Sequence, residues 1–218
     1  MRAPPDVIVV PGLAVARYLE PTVRCVVHAG ADCELVRLPT TGPLLTVPQY
    51  ATLVADRVRG RDVVLVGHSS GTQVAAMAAR EAPVTRLVLG SPTIDPAYRS
   101  VPRVVARWLI DSTREPSSLG RQEFPEWRRA GLRRIWVLLR SMLRHPLEDL
   151  LAGVTCPVTV VRGERDPMCT PAWAASLGDE LVTVPGLPHA FPYQVPDAFA
   201  RLALGAFEPP RRRGIFPI

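Results

Sequence analysis

The segment richest in chemistry is Gly67-His68-Ser69-Ser70-Gly71, which follows the apolar run DVVLV at 62–66 and leads directly into the small-residue stretch TQVAAMAAR. A serine on a tight turn from strand to helix is pushed clear of the sheet, and the residues two places away must be small for the backbone to fold back. Gly67 and Gly71 fill those places, so Ser69 is the expected nucleophile. The following helix turns its first amides toward the same spot, where an oxyanion develops during acyl transfer, and the backbone N–H of Ser70 is the expected donor. The Ser70 hydroxyl lies one place off the glycine frame and is the weaker nucleophile.

A serine at its free pKa needs an adjacent base that is itself oriented by an acid. The chain has four histidines. His68 adjoins the nucleophile where the turn directs it away; His28 falls in a helical stretch before the second strand, and His145 in an Arg-rich helical region. His189, in VPGLPHAFPY just beyond the last strand, sits at the C-terminal edge of the sheet, where open α/β sheets place their sites. The acid is expected after the preceding strand, in PVTVVRGERDPM. Asp166 fits that place, Glu164 is its neighbour and competitor, and Asp95 in SPTIDPAY is a more distant alternative. An imidazole beside one carboxylate, partly opposed by burial, sets an expected activity limb at about pH 6 to 7.5.

The residues that position these groups follow a βαβ rhythm. Nearly continuous Val and Leu runs at 6–10, 33–38, 62–66, 84–89, 157–161 and 180–184 indicate strands buried on both faces, as in a parallel sheet covered by helices. Residues 48–59, 70–81 and 171–178 are helix candidates between them. The expected fold is α/β, a doubly wound, mostly parallel sheet of about six strands in one domain over 1–218. Between about 93 and 153 the rhythm breaks into Arg-rich helices, an inserted layer. There GLRRIWVLLRSML (131–143) places Leu132, Ile135, Trp136, Leu139 and Met142 on one face, with arginines opposite on a solvated face. The tail EPPRRRGIFPI is expected to be irregular.

Composition removes several alternatives. The net charge of +6 comes from 26 arginines, because there is no lysine; asparagine is also absent. Schiff-base lysines, a Walker lysine and Asn-linked glycosylation are therefore excluded. The arginines are scattered without interleaved aromatics, which argues against nucleic acid as a partner. Cys25, Cys33, Cys156 and Cys169 form no C-x-x-C pair, and Cys25, His28 and Cys33 have no matching half for zinc, so no metal is expected. No apolar run approaches the roughly 20 residues of a membrane span, and the N-terminus lacks a secretory h-region. A cytoplasmic location is expected.

VVLVGHSSGTQVA, VVRGERDP and VPGLPHAF, in that order, resemble the nucleophile, acid and histidine segments of the α/β-hydrolase superfamily, in particular small actinobacterial-type esterases and lipase-like hydrolases. The resemblance covers about residues 6–200. It implies that residues 93–150 are the family's cap over the nucleophile, with Trp108, Trp127 and Trp136 as candidates for its pocket. It also implies that the turn in VVPGLAVARY supplies the second oxyanion donor, the amide of Leu13, although Pro11-Gly12 stands where the family usually has His-Gly. The chain begins near the family's third strand, so the usual N-terminal hairpin is missing, and the trimmed edge could pair with another subunit.

The activity this implies is hydrolysis of a carboxylic ester or thioester of a small molecule through an acyl-enzyme, with Ser69, His189 and Asp166 as triad, Leu13 and Ser70 as oxyanion donors, and no cofactor. Serine at position 69 argues against haloalkane dehalogenases and epoxide hydrolases, which use aspartate there. A C–C bond hydrolase, an acyltransferase, or a non-catalytic ligand- or partner-binding protein are the alternatives.

Overall fold

The computed structural model describes residues 5–37, 39 and 41–205. In chain order its elements are β1 (Asp6–Val10), α1 (Glu20–His28), β2 (Cys33–Leu35), α2 (Val47–Val58), β3 (Val63–His68), α3 (Gly71–Glu81) and β4 (Arg86–Gly90). Then come α4 (Val101–Ser112), α5 (Ser117–Ala130), α6 (Leu132–Arg144), α7 (Leu147–Leu151), β5 (Val158–Gly163), α8 (Pro171–Ser176), β6 (Glu180–Val184), α9 (Phe191–Gln194) and α10 (Pro196–Ala203).

The strands form one six-stranded sheet in the order β2-β1-β3-β4-β5-β6, with every pairing parallel. Successive side chains on a strand face opposite ways, so each of the four central strands feeds two cores. Ile8, Val10, Leu65, Leu87, Leu89 and Val160 pack on the side of α2 and α3, while Val7, Val9, Val64, Val66, Val88 and Val161 pack on the side of α10. This double burial is why the strands read as continuous apolar runs. The chain reverses its winding between β1 and β3, so the loops after these two strands open a crevice at the C-terminal edge.

Two local expectations are corrected. The second strand ends at Leu35, although the apolar run continues toward Leu38, which lies outside the described residues. The last rung is Val36 N–H to the Val9 carbonyl at 2.9 Å; the next would need a donor from Pro11, which has none. On α6 the arginines do not all face solvent. Arg134 is buried, and its guanidinium donates to the carbonyls of Pro43 and Gly42 at 2.8 and 3.0 Å, which offset its desolvation.

The insertion between β4 and β5 is helical throughout, α4 to α7. Gly131 at φ +76° separates α5 from α6, a left-handed conformation that favours glycine. No helix among the described residues is long and apolar enough to cross a membrane. The tail after Phe207 lies outside the described residues.

Candidate active site

Ser69 stands at the β3–α3 junction with φ +57°. A non-glycine residue pays about 1–3 kcal/mol for such a conformation, so the surroundings must enforce it. Its N–H donates to the Gly90 carbonyl at 2.9 Å, and its own carbonyl accepts from the Thr72 amide at 3.0 Å and the Thr72 hydroxyl at 2.6 Å. A side chain at Gly67 would meet the Gly71 carbonyl oxygen at 2.6 Å, and one at Gly71 would run into the Val10 and Pro11 carbonyls. Gly12, after β1, approaches so closely that a Cβ there would lie 2.8 Å from the Ser69 Cβ. These glycines let the loops after β1 and β3 close around one hydroxyl.

His189 reaches the same point from the loop after β6. Its Nε2 lies 2.9 Å from Ser69 Oγ, and its Nδ1 3.0 Å from Asp166 Oδ2. With Nδ1–H donated to the carboxylate, the Nε2 lone pair of the neutral ring faces the serine hydroxyl. Asp166 is buried after β5; its other oxygen accepts the Met168 amide at 2.8 Å. The buried Arg162 guanidinium braces this loop by donating to the carbonyls of Cys169, Glu164 and Asp166 at 3.1–3.3 Å.

The competitors are occupied elsewhere. Glu164 accepts the Gly186 amide at 2.7 Å, and the two carboxylate oxygens of Asp95 accept the amides of Ala97 and Thr170 at 2.9 and 2.8 Å. His28 and His145 bond to carbonyls of their own helices, those of Arg24 and Ser141, both at 2.7 Å. Ser70 is buried at the N-cap of α3, and Leu13 lies in the turn after β1. Neither backbone N–H finds an acceptor among the described residues, whereas the Leu13 carbonyl accepts Trp127 Nε1–H at 3.0 Å.

His68 is not a bystander. Tyr18 Oη accepts the Gly12 amide at 3.1 Å and donates to His68 Nδ1 at 2.7 Å, and His68 Nε2–H donates to the His189 carbonyl at 3.1 Å. One buried imidazole therefore ties the loop after β1 to the loop carrying His189. Ser91 adds a hydroxyl on the same carbonyl at 2.7 Å. Sequence reasoning had no handle on Tyr18 or Arg162, whose roles depend on long-range contacts and on no motif.

The electrostatics separate the two rings. Burial and the neighbouring His189 charge push His68 down to about 3, so it stays neutral. Burial also opposes charge on His189, but Asp166 and its hydrogen bond outweigh it, and Asp111 and Glu115 add to them, raising the value to about 9. Burial would raise Asp166 too; the facing imidazole holds it below the ordinary carboxylate value. With Asp111 and Glu115 beside Asp166, the expected activity limb moves above the pH of about 6 to 7.5 set by one carboxylate. The unforeseen acids come from the insertion: Asp111 accepts the His189 amide at 3.2 Å and Glu115 the Ala190 amide at 2.6 Å. Burial lifts Glu115 itself to about 7 and Glu123 to about 8.

Ser69 and His189 open into a cavity of about 760 Å³. Its walls are mainly apolar, with Leu13, Leu119, Trp127, Ile135, Met142 and Met168 among them. Trp108 also lines it and meets Trp127 edge to face with ring centroids 5.3 Å apart. Trp136 does not reach it; it is exposed, beneath the Arg140 guanidinium.

The model of the Alpha/beta hydrolase family matches residues 7–202. No curated protein matches the chain. Among solved structures, E-2-(acetamidomethylene)succinate hydrolase is similar at 21% identity, with 91% of this chain and 89% of that one covered and a TM-score of 0.68. The monoacylglycerol lipase of Paleococcus ferrophilus is similar at 14% identity, 92% and 94% covered, TM-score 0.67. A thioesterase domain of the curacin biosynthetic pathway aligns at 16% identity, 92% and 91% covered, TM-score 0.66.

Proposed function

Because the chain belongs to the alpha/beta hydrolase family, we propose that it is a serine hydrolase cleaving a carboxylic ester or thioester of a small molecule through an acyl-enzyme on Ser69. The observation that carries this reading is the line Asp166–His189–Ser69, with contacts of 3.0 and 2.9 Å and the serine on a strained, glycine-framed turn. In the proposed reaction Ser69 Oγ attacks the carbonyl carbon while its proton passes to His189 Nε2. Asp166 holds Nδ1–H and stabilises the imidazolium. The amides of Leu13 and Ser70 receive the developing oxyanion. Collapse breaks the acyl–oxygen or acyl–sulfur bond, and the leaving group departs with the proton from Nε2. Water, activated by the same nitrogen, then attacks the acyl-enzyme and releases the acid and Ser69. This sequence needs no cofactor or metal.

In the same reading α4–α7 are a cap inserted in a single hydrolase domain, and the apolar cavity beneath it receives the acyl group. The test pairs a fluorophosphonate probe with Ser69→Ala. The parent should be labelled and should turn over chromogenic esters or acyl-thioesters; Ser69→Ala should fold with an unchanged circular dichroism spectrum, stay unlabelled and lose turnover by at least about a thousandfold. Comparable turnover in the two proteins refutes the assignment of the nucleophile.

A further inference from the structure

The charges of the insertion are sorted by side. Its carboxylates turn inward: Asp111 and Glu115 onto the amides of His189 and Ala190, Glu126 onto the amides of Ala16 and Arg17, Glu148 onto Arg99, and Glu123 into the cavity wall. Among the segment's described carboxylates, Asp149 on α7 is the exposed one. Apart from the buried Arg134 and the paired Arg99, the arginines turn mostly outward. Arg121, Arg128, Arg129, Arg133, Arg140 and Arg144 are all exposed, and among the described residues none of them makes an ion pair.

Between these arginines lie large apolar side chains that the core does not take. Leu132 is 85% exposed, Phe124 64%, Leu109 55% and Trp136 46%. Phe124 and Leu132, with Val105 and Trp108, both face solvent and line the cavity, so they form its rim. On α5, Arg121, Phe124 and Arg128 recur at i, i+3 and i+7, and on α6 Leu132, Trp136 and Arg140 recur at i, i+4 and i+8. Each set shares one helical face, so cations and apolar side chains stand together around the mouth.

We propose that this face of the insertion docks on an anionic phospholipid surface, with the cavity mouth opening onto the lipid. Two features favour a lipid surface over another protein. Uncompensated arginines complement anionic headgroups, each contributing about 1 kcal/mol near the surface, which is roughly fivefold in binding. Exposed Trp, Phe and Leu beside them fit the boundary between headgroups and acyl chains. The proposal goes beyond the hydrolytic reading and does not depend on turnover.

The test is sedimentation of the Ser69→Ala protein, so that no lipid is consumed, with vesicles of phosphatidylcholine alone and with about a third phosphatidylglycerol. Binding should favour the anionic vesicles and weaken steeply from about 0.01 M to about 1 M salt, over which the Debye length falls from roughly 30 to 3 Å. Arg133→Glu with Arg140→Glu should weaken binding by roughly 25-fold or more. Leu109→Ser with Ile110→Ser, adjoining exposed residues of α4 that do not line the cavity, should weaken it at least about tenfold. In the parent background both double variants should keep the parent's thermal midpoint and its turnover of a water-soluble short-chain ester. Equal, salt-insensitive binding to both vesicles, or no binding to either, overturns the proposal. So does a concentration-dependent dimer that Leu109→Ser with Ile110→Ser breaks while vesicles stay unbound, which assigns the face to a second copy. Failure to hydrolyse the short ester would count against the proposed function alone.

Discussion

The most exposed consequence of the site's electrostatics is the pH at which it works. In the proposed mechanism His189 must be neutral to take the serine proton, and its value is raised to about 9 from an ordinary 6.5. That gap favours the imidazolium at neutral pH. At pH 7 only about one molecule in a hundred then carries the neutral ring, and kcat/KM should climb with pH up to a limb near 9. Asp166 is the largest contributor, but it cannot be removed without losing the tautomer. Asp111 can. Its carboxylate accepts the His189 amide at 3.2 Å, and in Asp111→Asn the amide oxygen still accepts that bond while the charge is gone. The imidazolium loses one stabilising anion, so the sign is downward. A contribution smaller than that of Asp166 moves the limb by about half to one pH unit. At pH 7 the neutral fraction rises to roughly three to ten in a hundred, and kcat/KM should increase about three- to tenfold while the alkaline plateau stays put. The assay is the pH profile of kcat/KM on a chromogenic ester for parent and variant. A limb that stays in place or moves up in Asp111→Asn refutes the reasoning, as does a parent limb below pH 7.

Three further substitutions test the neighbouring contacts. Asp166→Asn should lower kcat by about 10⁴, because an amide at that position favours the wrong tautomer of His189, whereas Glu164→Gln, which only loosens a bond to the Gly186 amide, should stay within a few-fold of the parent. Equally mild effects in steady-state assays would move the acid elsewhere. Tyr18→Phe leaves the buried Gly12 amide without its acceptor and His68 without its donor. It should lower kcat about tenfold with KM nearly unchanged and leave the limb in place, because His68 stays neutral throughout. A changed KM with intact kcat would assign Tyr18 to substrate binding.

The parts of the molecule legible in the sequence are those whose physics is local. Strands buried on both faces must be apolar without interruption, so β1, β3, β4 and β5 announce themselves through Val and Leu, whereas β6, at the sheet edge, shows Glu180 and Thr183 to solvent. The Ser69 turn is legible because Gly67 and Gly71 are the residues that such close backbone approach permits. What stays hidden depends on chain crossing far in sequence. The bond from His68 to the His189 carbonyl spans 121 positions, and that from Asp111 to the His189 amide spans 78. Neither has a periodicity or a spacing to betray it. Asp111 and Arg134 lie on amphipathic helices, and Glu115 in the turn between α4 and α5, all in an Arg-rich stretch where a charged residue reads by default as solvated. Their burial follows only once α4 and α6 are laid against the loops that offer them amides and carbonyls.

That segregation gives the net charge of +6 a different meaning from the one composition alone allows. Scattered along the chain, the arginines show no footprint, and a basic balance without one predicts little. Folded, the insertion uses its carboxylates as acceptors for backbone amides of the His189 loop and the loop after β1, where each satisfies a buried donor. Two of them, Asp111 and Glu115, also raise the value of His189. The arginines that make no ion pair among the described residues then face outward beside Phe124 and Leu132 at the cavity rim. The inward acids and the outward cations are therefore two results of one packing arrangement. A substitution that turned one of the acids outward would act on both sides at once, lowering the His189 value within and neutralising the rim without.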